Sequence, residues 1–195
     1  VKGTIRIISG LMKGRVIPFN VSKFNDAEIT PQKVKGALFS IIGENLNGKT
    51  FIDLYSGSGQ IGFEALSRKC SLVVMNEKDR SRVEFIRNFI TQSGNGDRSL
   101  VLNLNAKSAL KKLSERGVKA DIVFLDPPYD KEKGATGFYD PILRDISESG
   151  ILHESSELII QHYSANLLPE SCGKLNKAGS RKYGSTSLSI YHYTD

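Results

Sequence analysis

Phe51-Ile52-Asp53-Leu54-Tyr55 runs into Ser56-Gly57-Ser58-Gly59-Gln60-Ile61-Gly62, and this stretch decides the fold. Residues 50–55 read as a strand and residues 61–69 as a helix. Between them Gly57, Gly59 and Gly62 spell G-x-G-x-x-G in its strand–turn–helix setting. Glycine takes positive φ and carries no Cβ, so backbone can approach a ligand closely. The helix N-terminus adds N–H groups that have no partner within the helix. A tight turn with no ligand is the competing reading.

Outward from this turn, strand and helix alternate. Residues 72–76 read as a strand, and Asp79 caps a helix carrying Val83, Ile86, Phe89 and Ile90 that Gly94 ends. Residues 99–104 are a strand, 106–116 a helix ended by Gly117, and 121–125 a strand. Residues 138–147 are a helix with Pro141 in its first turn, and 157–163 and 186–193 are the last strands. Toward the N-terminus, residues 5–8 and 15–19 read as a hairpin. Thr30 then caps a helix with Pro31 in its first turn and an apolar stripe of Val34, Ala37, Leu38, Ile41 and Ile42. Alternation at this pace predicts an α/β fold of Rossmann-like type, a mostly parallel sheet with helices on both faces. With no long helix between them, the last two strands pair antiparallel. The expected organisation is an N-terminal hairpin extension, residues 1–29, followed by a single domain, residues 30–195. In such sheets ligands bind beyond the carboxyl ends of the strands.

Glu77 follows the strand 72–76, 20 residues after Gly57, where a carboxylate can accept both hydroxyls of a ribose. Two ligands compete for the turn, a dinucleotide and S-adenosylmethionine. Asp53, at the end of the first strand, sits poorly beside a pyrophosphate and well beside an ammonium and a sulfonium. It favours the second ligand only modestly.

The strand 121–125 delivers Asp126-Pro127-Pro128-Tyr129. Two prolines fix φ and remove two N–H donors, leaving a rigid corner whose carbonyls accept. The Asp126 carboxylate and the Pro127 carbonyl offer two acceptors, matching the two N–H donors of an exocyclic amine on a base. Drawing those hydrogens out of plane frees the nitrogen lone pair for attack on a methyl group held in line. Tyr129 supplies a face on which the base stacks, worth ~1–3 kcal/mol. The competing reading is a strand-ending turn with Tyr129 over the core.

Composition bounds the partners. The chain has 195 residues, of which 39% are hydrophobic and 25% charged, ordinary for a globular protein able to bury a sizeable core. Two dispersed cysteines and three scattered histidines draw neither a zinc site nor a disulfide framework, so a reducing, cytoplasmic setting is expected. No apolar run approaches the ~20 residues of a membrane span, and the segment from Val1 to Arg6 does not read as a signal peptide. Net charge is +6. Residues 1–25 carry Lys2, Arg6, Lys13, Arg15 and Lys23 with no acid, and residues 171–194 carry Lys174, Lys177, Arg181 and Lys182 with none. This is the footprint of a polyanionic partner if the cations share a face, and a set of solvated charges if they do not. Lys13, Arg15, Lys33 and Lys35 are the candidate phosphate contacts. Lys33 and Lys35 are both placed off the stripe of Val34, Leu38 and Ile41.

Nearly the whole chain resembles the class I S-adenosylmethionine-dependent methyltransferases. More narrowly, it is similar to the bacterial RsmD family of small-subunit ribosomal RNA guanine-N2 methyltransferases. The likeness lies in Arg6-Ile7-Ile8-Ser9-Gly10 with Gly14-Arg15, and in the helix 30–39. It continues in Asp53-Leu54-Tyr55-Ser56-Gly57-Ser58-Gly59 with Gly62-Phe63-Glu64-Ala65-Leu66-Ser67-Arg68, and closes at Tyr183-Gly184 with Leu188-Ser189-Ile190-Tyr191. The resemblance implies S-adenosylmethionine as methyl donor. Asp53 and the turn Ser56, Gly57, Ser58 and Gly59 would surround its methionine end. Glu77, with Lys78 beside it, would hold the ribose, and the backbone at Asn105-Ala106 would border the adenine. The resemblance further implies catalysis at Asp126, Pro127, Pro128 and Tyr129 on a guanine amino group of 16S ribosomal RNA, and a monomer is expected. The chain departs from the pattern at Asn105, where many methyltransferases carry Asp, and at Glu28-Ile29 in place of Arg-Pro. It departs again at Gly36 and Ser185, where the family has Glu and Asp. A DNA amino methyltransferase acting on adenine or cytosine uses the same tetrad, but it usually adds a target-recognition domain. A nicotinamide oxidoreductase explains the glycines and Glu77 but not the proline corner. A non-catalytic RNA-binding module explains only the charge.

Overall fold

Ile5–Arg6 (β1) and Val16–Ile17 (β2) pair antiparallel, with Ile5 opposite Ile17 and Arg6 opposite Val16. The structure is a computed structural model that describes residues 5–24, 29–128, 137 and 139–194. The hairpin ladder is shorter than the apolar runs suggest. Beyond it Gly14 N–H donates to the Ile7 carbonyl, and the chain closes as a turn.

The first helix (α1) spans Gln32–Ile42. Pro31, not Thr30, is its N-cap, and no side chain caps it. Thr30 is buried instead, its carbonyl accepting from the Gln60 side chain at 3.2 Å. The buried residues of α1 are Val34, Lys35, Leu38 and Phe39, so its inner face is rotated from the stripe read in the sequence.

Three parallel strands follow, Thr50–Asp53 (β3), Leu72–Asn76 (β4) and Ser99–Leu102 (β5), in the order β5-β4-β3. Between them run Gln60–Ser67 (α2) and Arg80–Ser93 (α3). Asp79 caps α3 by accepting from Arg82 N–H at 3.0 Å, and Gly94 ends it at φ 68°. Hydrogen bonds from the Ser81 hydroxyl and Arg82 N–H hold the Asp79 carboxyl below the usual carboxylate range. These elements form one compact unit ending at Leu104.

A second compact unit begins at Asn105. It contains Ala106–Glu115 (α4), Ile122–Leu125 (β6), Asp140–Glu148 (α5) and Glu157–Tyr163 (β7). Ser171–Cys172 (β8), Leu175–Tyr183 (β9) and Thr186–Tyr193 (β10) complete it. Its strands run β6-β7-β10-β9-β8; the first pair is parallel and the rest antiparallel. β8 and β9 are absent from the sequence reading. β9, Leu-Asn-Lys-Ala-Gly-Ser-Arg-Lys-Tyr, has no alternating apolar face and is a strand because its backbone completes the ladder to β10. The fold is α/β and Rossmann-like, with mostly parallel central strands, an N-terminal hairpin and antiparallel last strands. The central strands read as unbroken apolar runs because Ile52, Val73, Val74, Val123 and Ile159 are all fully buried. Among the described residues, no helix is long and apolar enough to cross a membrane.

Every residue of α2 is buried, including its three polar side chains, Gln60, Glu64 and Ser67. Their spacing puts them on one face, and that face receives the N-terminal segment. Gln60 meets Thr30, and Ser67 Oγ accepts from Met12 N–H at 2.8 Å and donates to the Ser9 carbonyl. The Glu64 carboxylate accepts from Ile8 N–H at 2.8 Å and Ser9 N–H at 2.9 Å. It also pairs with Lys35 at 3.4 Å and Arg68 at 3.2 Å. The hairpin is thus tied to the helix that leaves the glycine turn.

Candidate functional site

In the first unit the turn after β3 does what its glycines suggest. Gly59 is left-handed at φ 74° and caps α2. A Cβ at Gly62 would run into Met75 Sδ, so this glycine lets α2 lie close on β4. At Gly57, φ is 51° and a Cβ would meet nothing within 4 Å, so there is open room before the turn. Gly57 N–H donates to Glu77 Oε2 at 2.9 Å, which joins the turn to the carboxylate after β4. Glu77 Oε1 accepts from Asp79 N–H at 2.8 Å, and Arg82 Nη1 lies 4.0 Å from Oε2. A carboxylate has about four acceptor sites, so these contacts orient Glu77 and still leave capacity for hydroxyls.

Asp53 is 1% exposed, with Oδ1 facing Tyr55 N–H at 3.4 Å and its carbonyl accepting from Ser56 Oγ at 3.1 Å. Ser58 is buried and Lys78 exposed. Two asparagines outside every motif brace this end of the strands. Asn76 Nδ2 donates to the Leu54 and Leu104 carbonyls at 3.1 and 3.0 Å. Asn103 Nδ2 donates to the Glu77 and Lys78 carbonyls, both at 2.9 Å. The signal that could have found them is an amide at or just past the end of an apolar strand, where loose backbone needs donors.

In the second unit, Asn105 is the N-cap of α4, its Oδ1 accepting from Ser108 N–H at 2.9 Å. That side chain serves the helix. Asp126 follows β6 and is half-buried, Pro127 is buried and Pro128 exposed. Asp126 Oδ2 accepts from Gln161 Nε2 at 2.8 Å. Tyr129 lies outside the described residues.

The four candidate RNA cations do not stand alike. Lys13 and Lys33 are exposed. Arg15 is half-buried, lying over the Phe89 ring at 5.1 Å and donating to the Gln92 carbonyl at 3.0 Å. Lys35 is a correction: it is 0% exposed, donates to the Arg6 carbonyl at 2.7 Å and pairs with Glu64. Burial pulls its ammonium below the ordinary lysine range against the opposing pull of Glu64. It holds the hairpin and is not placed to meet a phosphate.

A glycine turn after the first long strand and a carboxylate after the second lie in the first unit, and an acceptor corner after β6 lies in the second. The family model described as conserved hypothetical protein 95 matches residues 5–192. The chain is 29% identical over 187 residues to the YlbH protein of Bacillus subtilis, covering 96% of this chain and 98% of that one. Over 168 residues it is 30% identical to ribosomal RNA small subunit methyltransferase D of Escherichia coli K12, covering 86% and 79%. In fold it matches the yhhF protein of Escherichia coli with a TM-score of 0.79 at 23% identity, over 98% of each chain. The chain belongs to this family, the RsmD branch of the S-adenosylmethionine-dependent methyltransferases.

Proposed function

We propose that the protein transfers a methyl group from S-adenosylmethionine to the exocyclic N2 amino group of a guanine in 16S ribosomal RNA. The observation that carries this reading is the Asp126-Pro127-Pro128 corner, a half-buried carboxylate beside a proline carbonyl at the end of β6, in a chain of this family. Residues 1–29 are read as an extension of one methyltransferase domain, residues 30–195. When bound, the cofactor supplies an electrophilic methyl on a sulfonium.

The chain's own groups hold the two reactants. Asp53 and the turn Ser56 to Gly59 receive the ammonium end, with the room at Gly57 admitting it. Glu77 receives the ribose hydroxyls, and Asn105-Ala106 the adenine edge. Asp126 and the Pro127 carbonyl accept the two amine hydrogens, and Tyr129 stacks on the base. The test is methyl transfer to total ribosomal RNA followed by nucleoside analysis. N2-methylguanosine in 16S RNA is the expected product. In a parallel reaction on DNA, label appearing in adenine or cytosine amino groups, with none in the ribosomal RNA, would replace the reading with the DNA alternative.

Glu77→Ala is expected to weaken S-adenosylmethionine binding by ~2–3 kcal/mol, since two charge-assisted hydrogen bonds are lost. Calorimetry is the check, and unchanged affinity would remove Glu77 from the ribose.

The RNA is held, in this reading, by Lys13 and Lys33, with Arg15 contributing the part of its guanidinium that Phe89 and Gln92 leave exposed. Phosphate contacts release counterions, so RNA affinity should fall steeply with salt. Replacing Lys13 and Lys33 with alanine should flatten that slope by up to about two units and leave cofactor affinity alone. An unchanged slope would move the RNA to the cations around β9, where Arg181 and Lys182 are exposed and Lys177 pairs with Glu170 at 3.0 Å.

A further inference from the structure

We infer that Gln161 is a positioning residue for methyl transfer, aiming the Asp126 carboxylate at the target amine; the inference rests on the reading of Asp126 as an amine acceptor. β6 and β7 pair in parallel with Leu125 opposite Ile160, so the next residues, Asp126 and Gln161, fall side by side at the carboxyl ends. Gln161 is 2% exposed and its Nε2 donates to Asp126 Oδ2 at 2.8 Å.

Ile159, two residues back on the same face of β7, is apolar and fully buried, so packing alone would accept an aliphatic residue here. A buried amide is costly unless it is hydrogen-bonded. What Gln161 adds over leucine is a donor directed at one carboxylate oxygen. That bond fixes the rotation of the Asp126 side chain and so the direction in which the carboxylate faces a substrate. Misplacement of a reacting group by an ångström can cost about 100-fold in rate, so an aimed acceptor has measurable value.

The experiment compares the full chain with Asp126→Ala, Gln161→Leu and Gln161→Glu. It measures cofactor affinity, thermal melting and methyl transfer to total ribosomal RNA. Gln161→Leu is expected to keep cofactor affinity, melting temperature and KM for RNA while kcat falls about 10-fold or more. Gln161→Glu keeps the shape but donates only when its carboxyl is protonated. Its rate relative to the unmutated protein is therefore expected to rise as pH falls from about 8 to about 6. Asp126→Ala inactive with Gln161→Leu at full rate overturns the inference and leaves the Asp126 reading intact. Asp126→Ala active overturns that reading itself. Should Gln161→Leu not fold, Gln161→Glu decides, because a pH profile parallel to that of the unmutated protein overturns the positioning role.

Discussion

Asp126→Ala is expected to bind S-adenosylmethionine as the unmutated protein does and to transfer methyl groups on the order of 100-fold more slowly, or worse. Of the cofactor groups proposed above, Asp53, the glycine turn and Glu77 belong to the first compact unit and Asn105-Ala106 opens the second, whereas Asp126 follows β6 and is none of them. Truncation removes the carboxylate that accepts a hydrogen of the target amine and leaves only the Pro127 carbonyl to draw the lone pair out of conjugation. The loss is therefore expected in kcat, with calorimetric affinity for the cofactor unchanged. The measurement is single-turnover transfer to ribosomal RNA with cofactor saturating. A rate within about threefold of the unmutated protein would remove Asp126 from the chemistry.

Glu64→Ala is expected to destabilise the protein by about 3–5 kcal/mol. Its carboxylate is 0% exposed and compensates two buried cations, Lys35 and Arg68. It also accepts the backbone N–H groups of Ile8 and Ser9. Alanine leaves the cations and both donors without that carboxylate at a site closed to water, and an uncompensated buried charge costs far more than the intact pair contributes. Denaturant unfolding is the check. Early proteolysis within residues 5–24 should accompany the loss, because that segment is held to α2 through this carboxylate. A loss under about 1 kcal/mol would place the hairpin's attachment elsewhere.

Much of the candidate site was legible because its parts are local. Gly57, Gly59 and Gly62 announce the turn within six residues, and Asp126-Pro127-Pro128 announces the corner within three. Glu77 is a candidate from its spacing, and the structure ties it to Gly57 by a hydrogen bond. The RNA cations were less legible. Lys33 and Lys35 look alike in sequence, yet one is solvated and the other sits against Glu64, 29 residues further on. A lysine on a helix reads as exposed unless a buried carboxylate is known to wait for it. Gln161 carries no motif at all, because its meaning lies in a partner 35 residues away.

The sequence by itself determined the alternation of strands and helices, the carboxyl-end placement of the turn and the acceptor corner, and the bounds of β4, β7 and β10. Each follows from local periodicity, caps and turn chemistry, which act over a few residues. Only the tertiary structure decided which face of α1 turns inward, that Lys35 is a strut and not a phosphate contact, and that β8 and β9 exist. The same holds for the grip of Gln60, Glu64 and Ser67 on the N-terminal segment. The physical reason is shared. A buried charge is stable only beside its counter-charge, and a polar strand is a strand only beside the ladder it completes. In both cases the stabilising partner is supplied from a part of the chain that local pattern does not reach.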